Sequence, residues 1–214
     1  MLPKLQYISQ GKTAKQQLYN IEQALDAGVK WIQLRFKNAL QDELLRLAIE
    51  VKMLCEANNA IFIINDHPLI AKEAEADGVH LGLQDEAITK AREVLGHDKI
   101  IGGTANTFED VVQRVNEGCD YIGLGPFRYT ATKEKLSPIL GAAGFSSIIN
   151  AMQQQQYNVP VYAIGGITAE DVTAIMETGV YGIAVSGLIA NNPNKEYLIE
   201  QLNSFLYEEI NHSR

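Results

Sequence analysis

Short apolar runs recur along the chain at 5–9, 29–34, 60–64, 78–81, 99–101, 119–124, 159–164 and 181–185. Each is too short for a helix and reads as a buried strand. Between them the apolar positions change to a helical period. Leu18, Ile21 and Leu25 mark one face before Gly28, and Leu44, Ala48, Val51 and Cys55 mark another. Thr107 opens a third helix, with Glu109 and Asp110 in its first turn and Val111, Val112 and Val115 behind them. Thr168 and Asp171 open a helix carrying Val172, Ile175 and Met176 before Gly179, and a last one runs from Glu196 to about residue 209, burying Leu198, Leu202, Phe205 and Leu206. The biased stretch 153–156 is the exposed end of a helix.

A weak internal echo repeats the plan. Ala27-Gly28-Val29, Asp77-Gly78-Val79, Glu117-Gly118-Cys119 and Thr178-Gly179-Val180 each lead from a helix end into an apolar strand. The spacing is uneven, which fits a repeated β/α unit and not a solenoid. Eight such strands in a chain of 214 residues predict an α/β fold, a closed (β/α)₈ TIM barrel forming one domain over 1–214. An open doubly wound sheet is the structural alternative, though no Gly-x-Gly-x-x-Gly follows the first strand.

Composition narrows the partners. With 18 basic and 26 acidic residues the net charge is −8, which disfavours nucleic acid or an anionic membrane as a global partner. Any anion must meet a local cationic site. Cys55 and Cys119 are too few for a disulfide framework. No apolar run approaches the ~20 residues of a membrane helix, and the N-terminal residues lack signal-peptide order. The expectation is a cytoplasmic protein.

In such barrels chemistry gathers where strands end. At the second strand, Gln33, Arg35 and Lys37 alternate with Ile32, Leu34 and Phe36. If the apolar side meets the helices, two cations point to the barrel mouth as an anion clamp; otherwise they are a snorkelling surface pair. The third strand ends in Asn65-Asp66, and Asp85 follows the fourth. Adjacent strands lie about 5 Å apart, so Asp66 and Asp85 can bracket a hard cation such as Mg²⁺. A helix cap is the bland reading of the same Asn65-Asp66-His67-Pro68 stretch.

The fifth strand ends Gly102-Gly103-Thr104, either a close backbone approach with one hydroxyl or a tight turn. Residues 127–143 show little pattern, and Thr130, Thr132 and Lys133 suit a loop closing on phosphate as well as an ordinary solvated loop. The seventh strand leads into Gly165-Gly166 and the eighth ends Val185-Ser186-Gly187, the recurrent backbone phosphate pocket of these barrels. Two separable anion sites emerge, one of backbone amides and one cationic and metal-assisted. His80 reads as a packed core histidine, while His67, His97 and His212 are peripheral, and no Cys/His zinc spacing occurs.

These residues resemble the thiamine-phosphate synthase family. The matching segments are 31–37, 63–66, 77–82 with Asp85, 120–126, 130–133 and 163–167, spread over nearly the whole chain. The resemblance implies a transferase that joins hydroxymethylpyrimidine diphosphate to thiazole phosphate or its carboxylate, giving thiamine phosphate and pyrophosphate. It implies that Gln33, Arg35, Lys37 and Asn65 bind the pyrimidine diphosphate, with Thr104 and Lys133 touching the same substrate. Asp66 and Asp85 would bind Mg²⁺. Thr130 and Thr132, with Gly165, Val185 and Ser186, would hold the thiazole phosphate. Arg35, Lys37 and Lys133 would carry catalysis by stabilising departing pyrophosphate. Homo-oligomerisation is left open.

Three positions depart from the family pattern. Leu83 follows Gly82 where the family often has Gln, Thr104 replaces the usual serine, and Asn106 stands where histidine is frequent in the wider family. Two rivals remain. A thiazole tautomerase has a similar barrel but no pyrophosphate to expel, and a non-catalytic phosphate-binding barrel has no use for Arg35, Lys37, Asp66, Asp85 and Lys133 together.

Overall fold

The computed structural model describes residues 1–129 and 138–207. Eight parallel strands close a barrel in sequence order: β1 (Leu5–Ile8), β2 (Trp31–Leu34), β3 (Ile61–Asn65), β4 (Gly78–Leu81), β5 (Ile100–Ala105), β6 (Tyr121–Leu124), β7 (Val161–Ile164) and β8 (Gly182–Val185). Closure rests on β1 pairing with β8, where Leu5 meets Ile183 and Tyr7 meets Val185. That pairing excludes the open sheet. No helix among the described residues is long and apolar enough to cross a membrane.

The helices outside are α1 (Ala14–Asp26), α2 (Gln41–Ala57), α3 (Pro68–Glu73), α4 (Ile88–Leu95), α5 (Phe108–Asn116), α6 (Gly141–Gln154), α7 (Val172–Glu177), α8 (Gly187–Ala190) and α9 (Lys195–Tyr207). Thr107 and Asp110 form a capping box at the start of α5, and Thr168 with Asp171 does the same for the 3₁₀ turn ahead of α7. Gly28 takes the left-handed conformation (φ +97°) that stops α1. The short α3, α4 and α8 escape the periodicity reading because each offers too few turns to show a face. The helix that ends near 153–156 is α6, and its start at Gly141 shortens the unpatterned stretch expected to reach residue 143.

Period two along the strands separates two cores. Ile32, Leu34, Phe62, Ile64, Val79 and Leu81 belong to the large cluster that includes the helix residues. Trp31, Ile63, Tyr121, Tyr162 and Ala184 form a second cluster without a helix residue, which fills the barrel interior. Trp31 meets Tyr121 and Tyr162 edge-on at 4.9 Å, an arrangement that suits aromatic quadrupoles. The interior is therefore plugged with rings, and ligands are confined to its mouth.

Candidate active site

The alternation on β2 settles how its end is used. Ile32 and Leu34 face the helices, so Gln33 faces inward, buried at 2% exposure, with Nε2 donating to Asn65 Oδ1 at 2.7 Å. Its Oε1 is buried without a protein hydrogen-bond partner. Arg35 follows just past the strand. Its N–H donates to Ser9 Oγ at 2.9 Å and its carbonyl accepts Gln17 Nε2 at 3.1 Å, so its backbone is fixed independently of its side chain. Burial pulls the guanidinium pKa down, while the nearby Asp66 charge opposes that shift. Lys37, Asn65 and Asp66 line a cavity of about 210 Å³ with Phe36 and His67.

Asp66 lies just past the end of β3 in the left-handed region (φ +67°). Its backbone N–H donates to the His80 carbonyl at 2.9 Å, which holds it there. Its carboxyl lies close enough to that of Asp85 for the two to act on one another. Asp85 Oδ2 in turn accepts the Gly82 N–H at 2.6 Å. A Cβ at Gly82 would lie 2.6 Å from that same oxygen, so a side chain there would displace the Asp85 carboxylate. Burial, and then Asp85, push the Asp66 carboxyl up to about 7, against the lowering influence of Lys37 and Arg35. Two carboxyl groups driven together in this way fit a hard divalent cation, which would remove their mutual repulsion. The described residues hold no cluster of three His, Cys, Asp or Glu, so such an ion would complete its shell with water and substrate oxygens.

Thr104 sits within β5 and not at its end, because the strand continues to Ala105. Its Oγ1 meets His80 Nε2 at 3.0 Å, His80 Nδ1 meets the Tyr121 hydroxyl at 3.0 Å, and Gln6 Nε2 donates to that hydroxyl at 3.3 Å. His80 is thus the packed, hydrogen-bonded core residue expected. The Gly102-Gly103 pair differs from both readings of it. A Cβ at Gly102 would lie 2.1 Å from the Tyr121 ring, and one at Gly103 would lie 2.7 Å from the Arg114 side chain. The backbone is bare there to admit protein side chains, neither to approach a ligand nor to turn.

Across the mouth, Gly165, Gly166, Val185 and Ser186 line a cavity of about 320 Å³ together with Arg35. Arg35 therefore lies between this cavity and the acidic pair. Ser186 precedes α8, and its Oγ meets Gln10 Oε1 at 3.4 Å. Gly165 (φ +91°) and Gly166 (φ +69°) are needed for another reason as well. A Cβ would fall 2.7 Å from Pro126 at the first and 2.6 Å from the Tyr129 carbonyl oxygen at the second. The segment after β6 lies against them, with Phe127 N–H donating to Ile164 O at 2.8 Å and Arg128 N–H to Gly165 O at 2.9 Å. Arg128 also pairs with Asp171 at 2.5 Å. Gly166→Ala is expected to cost about 1–3 kcal/mol of stability, through the left-handed backbone and the blocked carbonyl, checked by denaturant unfolding.

Gln33, Arg35, Lys37, Asn65, Asp66, Asp85 and Thr104 are thus brought to one side of the mouth, and Gly165, Val185 and Ser186 to the other. Thr130, Thr132 and Lys133 lie outside the described residues, as do His212 and the expected end of the last helix near 209. Sequence reasoning missed Gln10, Arg114 and Arg128. It read Asn106 only as a departure, yet its Nδ2 donates to the Gly125 carbonyl and joins the ends of β5 and β6. A polar residue straight after a strand is the signal that marks Asn106; nothing local marks a buried arginine on a helix.

A barrel whose mouth holds cations beside paired acids on one side and a glycine-lined cavity on the other defines a phosphate-handling TIM-barrel enzyme. The family model described as thiamine monophosphate synthase matches residues 5–189, and the chain belongs to that family. The thiamine-phosphate synthase of Flavobacterium johnsoniae is 57% identical over 210 residues, covering 98% of this chain and 99% of that protein. That of Flavobacterium psychrophilum is 58% identical over 206 residues, covering 96% and 100%. Among solved structures, a thiamine phosphate pyrophosphorylase from Pyrococcus furiosus superposes with a TM-score of 0.83 at 28% identity, covering 95% of each chain.

Proposed function

We propose that this chain is a thiamine-phosphate synthase. It condenses the pyrimidine diphosphate with thiazole phosphate and releases pyrophosphate; from the carboxylate form, carbon dioxide leaves as well. One observation carries the reading beyond fold: Arg35 stands between the Asp66–Asp85 pair and the glycine-lined cavity, where one group can serve both phosphorylated substrates. A barrel that only binds phosphate needs the cavity and not the acids.

In this reading the bond from the pyrimidine methylene carbon to pyrophosphate oxygen breaks first, and the electron-rich pyrimidine spreads the positive charge. The thiazole nitrogen then donates its electron pair to that carbon. No side chain acts as nucleophile. Arg35, Lys37 and Lys133 offset the charge growing on pyrophosphate, and the aromatic plug below holds the two rings at the mouth, away from bulk water. Mg²⁺, held by Asp66 and Asp85, would supply further positive charge against the leaving group. Gln33 and Asn65 orient the pyrimidine, with Thr104 beside them. Thr130 and Thr132, with the backbone at Gly165, Val185 and Ser186, receive the thiazole phosphate. A biosynthetic enzyme of this kind works in the cytoplasm.

The tautomerase reading needs a proton carrier. Asn106 has an amide that does not titrate, and that amide is engaged by the Gly125 carbonyl. The test is an assay of purified protein with both substrates and Mg²⁺, following pyrophosphate and thiamine phosphate. Release of both in equal amounts, lost on adding EDTA and restored by excess Mg²⁺, is the expected result. Isomerisation of the thiazole carboxylate phosphate without pyrophosphate release would overturn it.

A further inference from the structure

Arg114 lies on α5, away from the strand ends that carry the residues assigned a role above, and its side chain is 3% exposed. A buried guanidinium is costly unless its donors are satisfied. Here Nε donates to the Thr104 carbonyl at 3.0 Å, one terminal nitrogen to the Gly82 carbonyl at 2.9 Å, and the other to Glu117 at 2.7 Å. The first two acceptors lie towards the carboxyl ends of neighbouring strands, β5 and β4, at the mouth. Gly103 is bare because Arg114 crosses β5 at that point, with Cδ only 2.7 Å from where a Cβ would be.

The Gly82 contact leads to the acidic pair. Gly82 is grasped twice: its carbonyl by Arg114, its N–H by Asp85 Oδ2 at 2.6 Å. The Asp85 N–H returns to the Gly82 carbonyl at 3.3 Å, so the turn from 82 to 85 closes on the residue that Arg114 holds. We infer that Arg114 is a positioning residue for the divalent-cation site, fixing Gly82 so that the Asp85 carboxylate is presented to Asp66. The inference rests on the reading of Asp66 and Asp85 as cation ligands given above. Partners behind metal ligands typically carry a 10- to 100-fold share of metal affinity.

The test uses Arg114→Met, which keeps the stem and removes all donors, and Arg114→Lys, which keeps charge but not the fork. Mn²⁺ is titrated into parent and variants in the presence of inorganic pyrophosphate, with free Mn²⁺ read by electron paramagnetic resonance. Circular dichroism confirms the fold. Weakening of Mn²⁺ binding by about 10-fold or more in Arg114→Met is expected. The Mg²⁺ concentration for half-maximal activity should rise in parallel, while KM for thiazole phosphate stays within about twofold of the parent. Arg114→Lys, whose single ammonium cannot reach all three acceptors as the fork does, should fall between. Folded variants that bind Mn²⁺ as the parent does would overturn the inference. So would unfolding of both variants, which would make Arg114 a structural cation. A parent that binds no Mn²⁺ would instead overturn the cation-site reading itself.

Discussion

Asp66→Asn is expected to give a protein that is more stable than its parent and nearly inactive. The activity loss follows from removing one of the two carboxylates proposed to hold the divalent cation, and should reach about 100-fold or more in kcat/KM. The stability gain follows from the metal-free geometry. Asp66 faces the Asp85 carboxyl, is half-buried, and sits at φ +67°. Asparagine carries no charge, offers an N–H to the Asp85 carboxylate, and tolerates the left-handed region at least as well.

The sign with pH follows from the raised carboxyl. Its folded value is about 7, against an unfolded value near ~3.9. The folded state therefore holds the proton more tightly, and this contribution is complete below the unfolded value. It is lost as pH rises through about 7. Without metal, Asp66→Asn should exceed the parent by about 1–2 kcal/mol at pH 8, after allowance for partial solvent screening, with the gap closing towards pH 4. Urea unfolding in EDTA at the two pH values measures this. Adding Mg²⁺ with pyrophosphate should raise the parent's midpoint and leave the variant's unmoved. A variant less stable than the parent at pH 8 would remove the case for stored repulsion.

Arg35→Gln should retain the fold and lose about 10²- to 10³-fold in kcat/KM, the scale of removing one preorganised charge from a developing anion. That corresponds to about 3–4 kcal/mol of transition-state stabilisation. Folding should survive because Ser9 and Gln17 hold the Arg35 backbone whatever side chain projects from it. Lysine in its place should recover only part of the loss, since it supplies the charge without the planar fork. A decline confined to KM for one substrate, with kcat unchanged, would remove Arg35 from the chemical step.

The fold was legible because its signal is local and repeated. Several apolar runs follow a helix-stopping glycine, Gly28, Gly118 and Gly179 among them, and alternation at Gln33, Arg35 and Lys37 points to the mouth once the helices are placed outside. Asp66 and Asp85 were reachable because neighbouring parallel strands bring their ends together. What escaped is what depends on side chains crossing between elements. The bare backbone at Gly102 and Gly103 reads as a ligand approach until Tyr121 and Arg114 are seen to occupy the space. Arg114 itself looks like any helix cation until its burial and its carbonyl partners are known.

The string Gln6–Tyr121–His80–Thr104 inside the barrel has a bearing on how such a chain can drift over evolutionary time. Tyr121→Phe would strip a partner from both Gln6 and His80 at one stroke, and an alanine at 102 would collide with the tyrosine ring. Neither position can wander alone. Related chains that lose the tyrosine are free to thicken the neighbouring strand, and those that keep it are bound to the glycine. The two should be inherited as a linked pair.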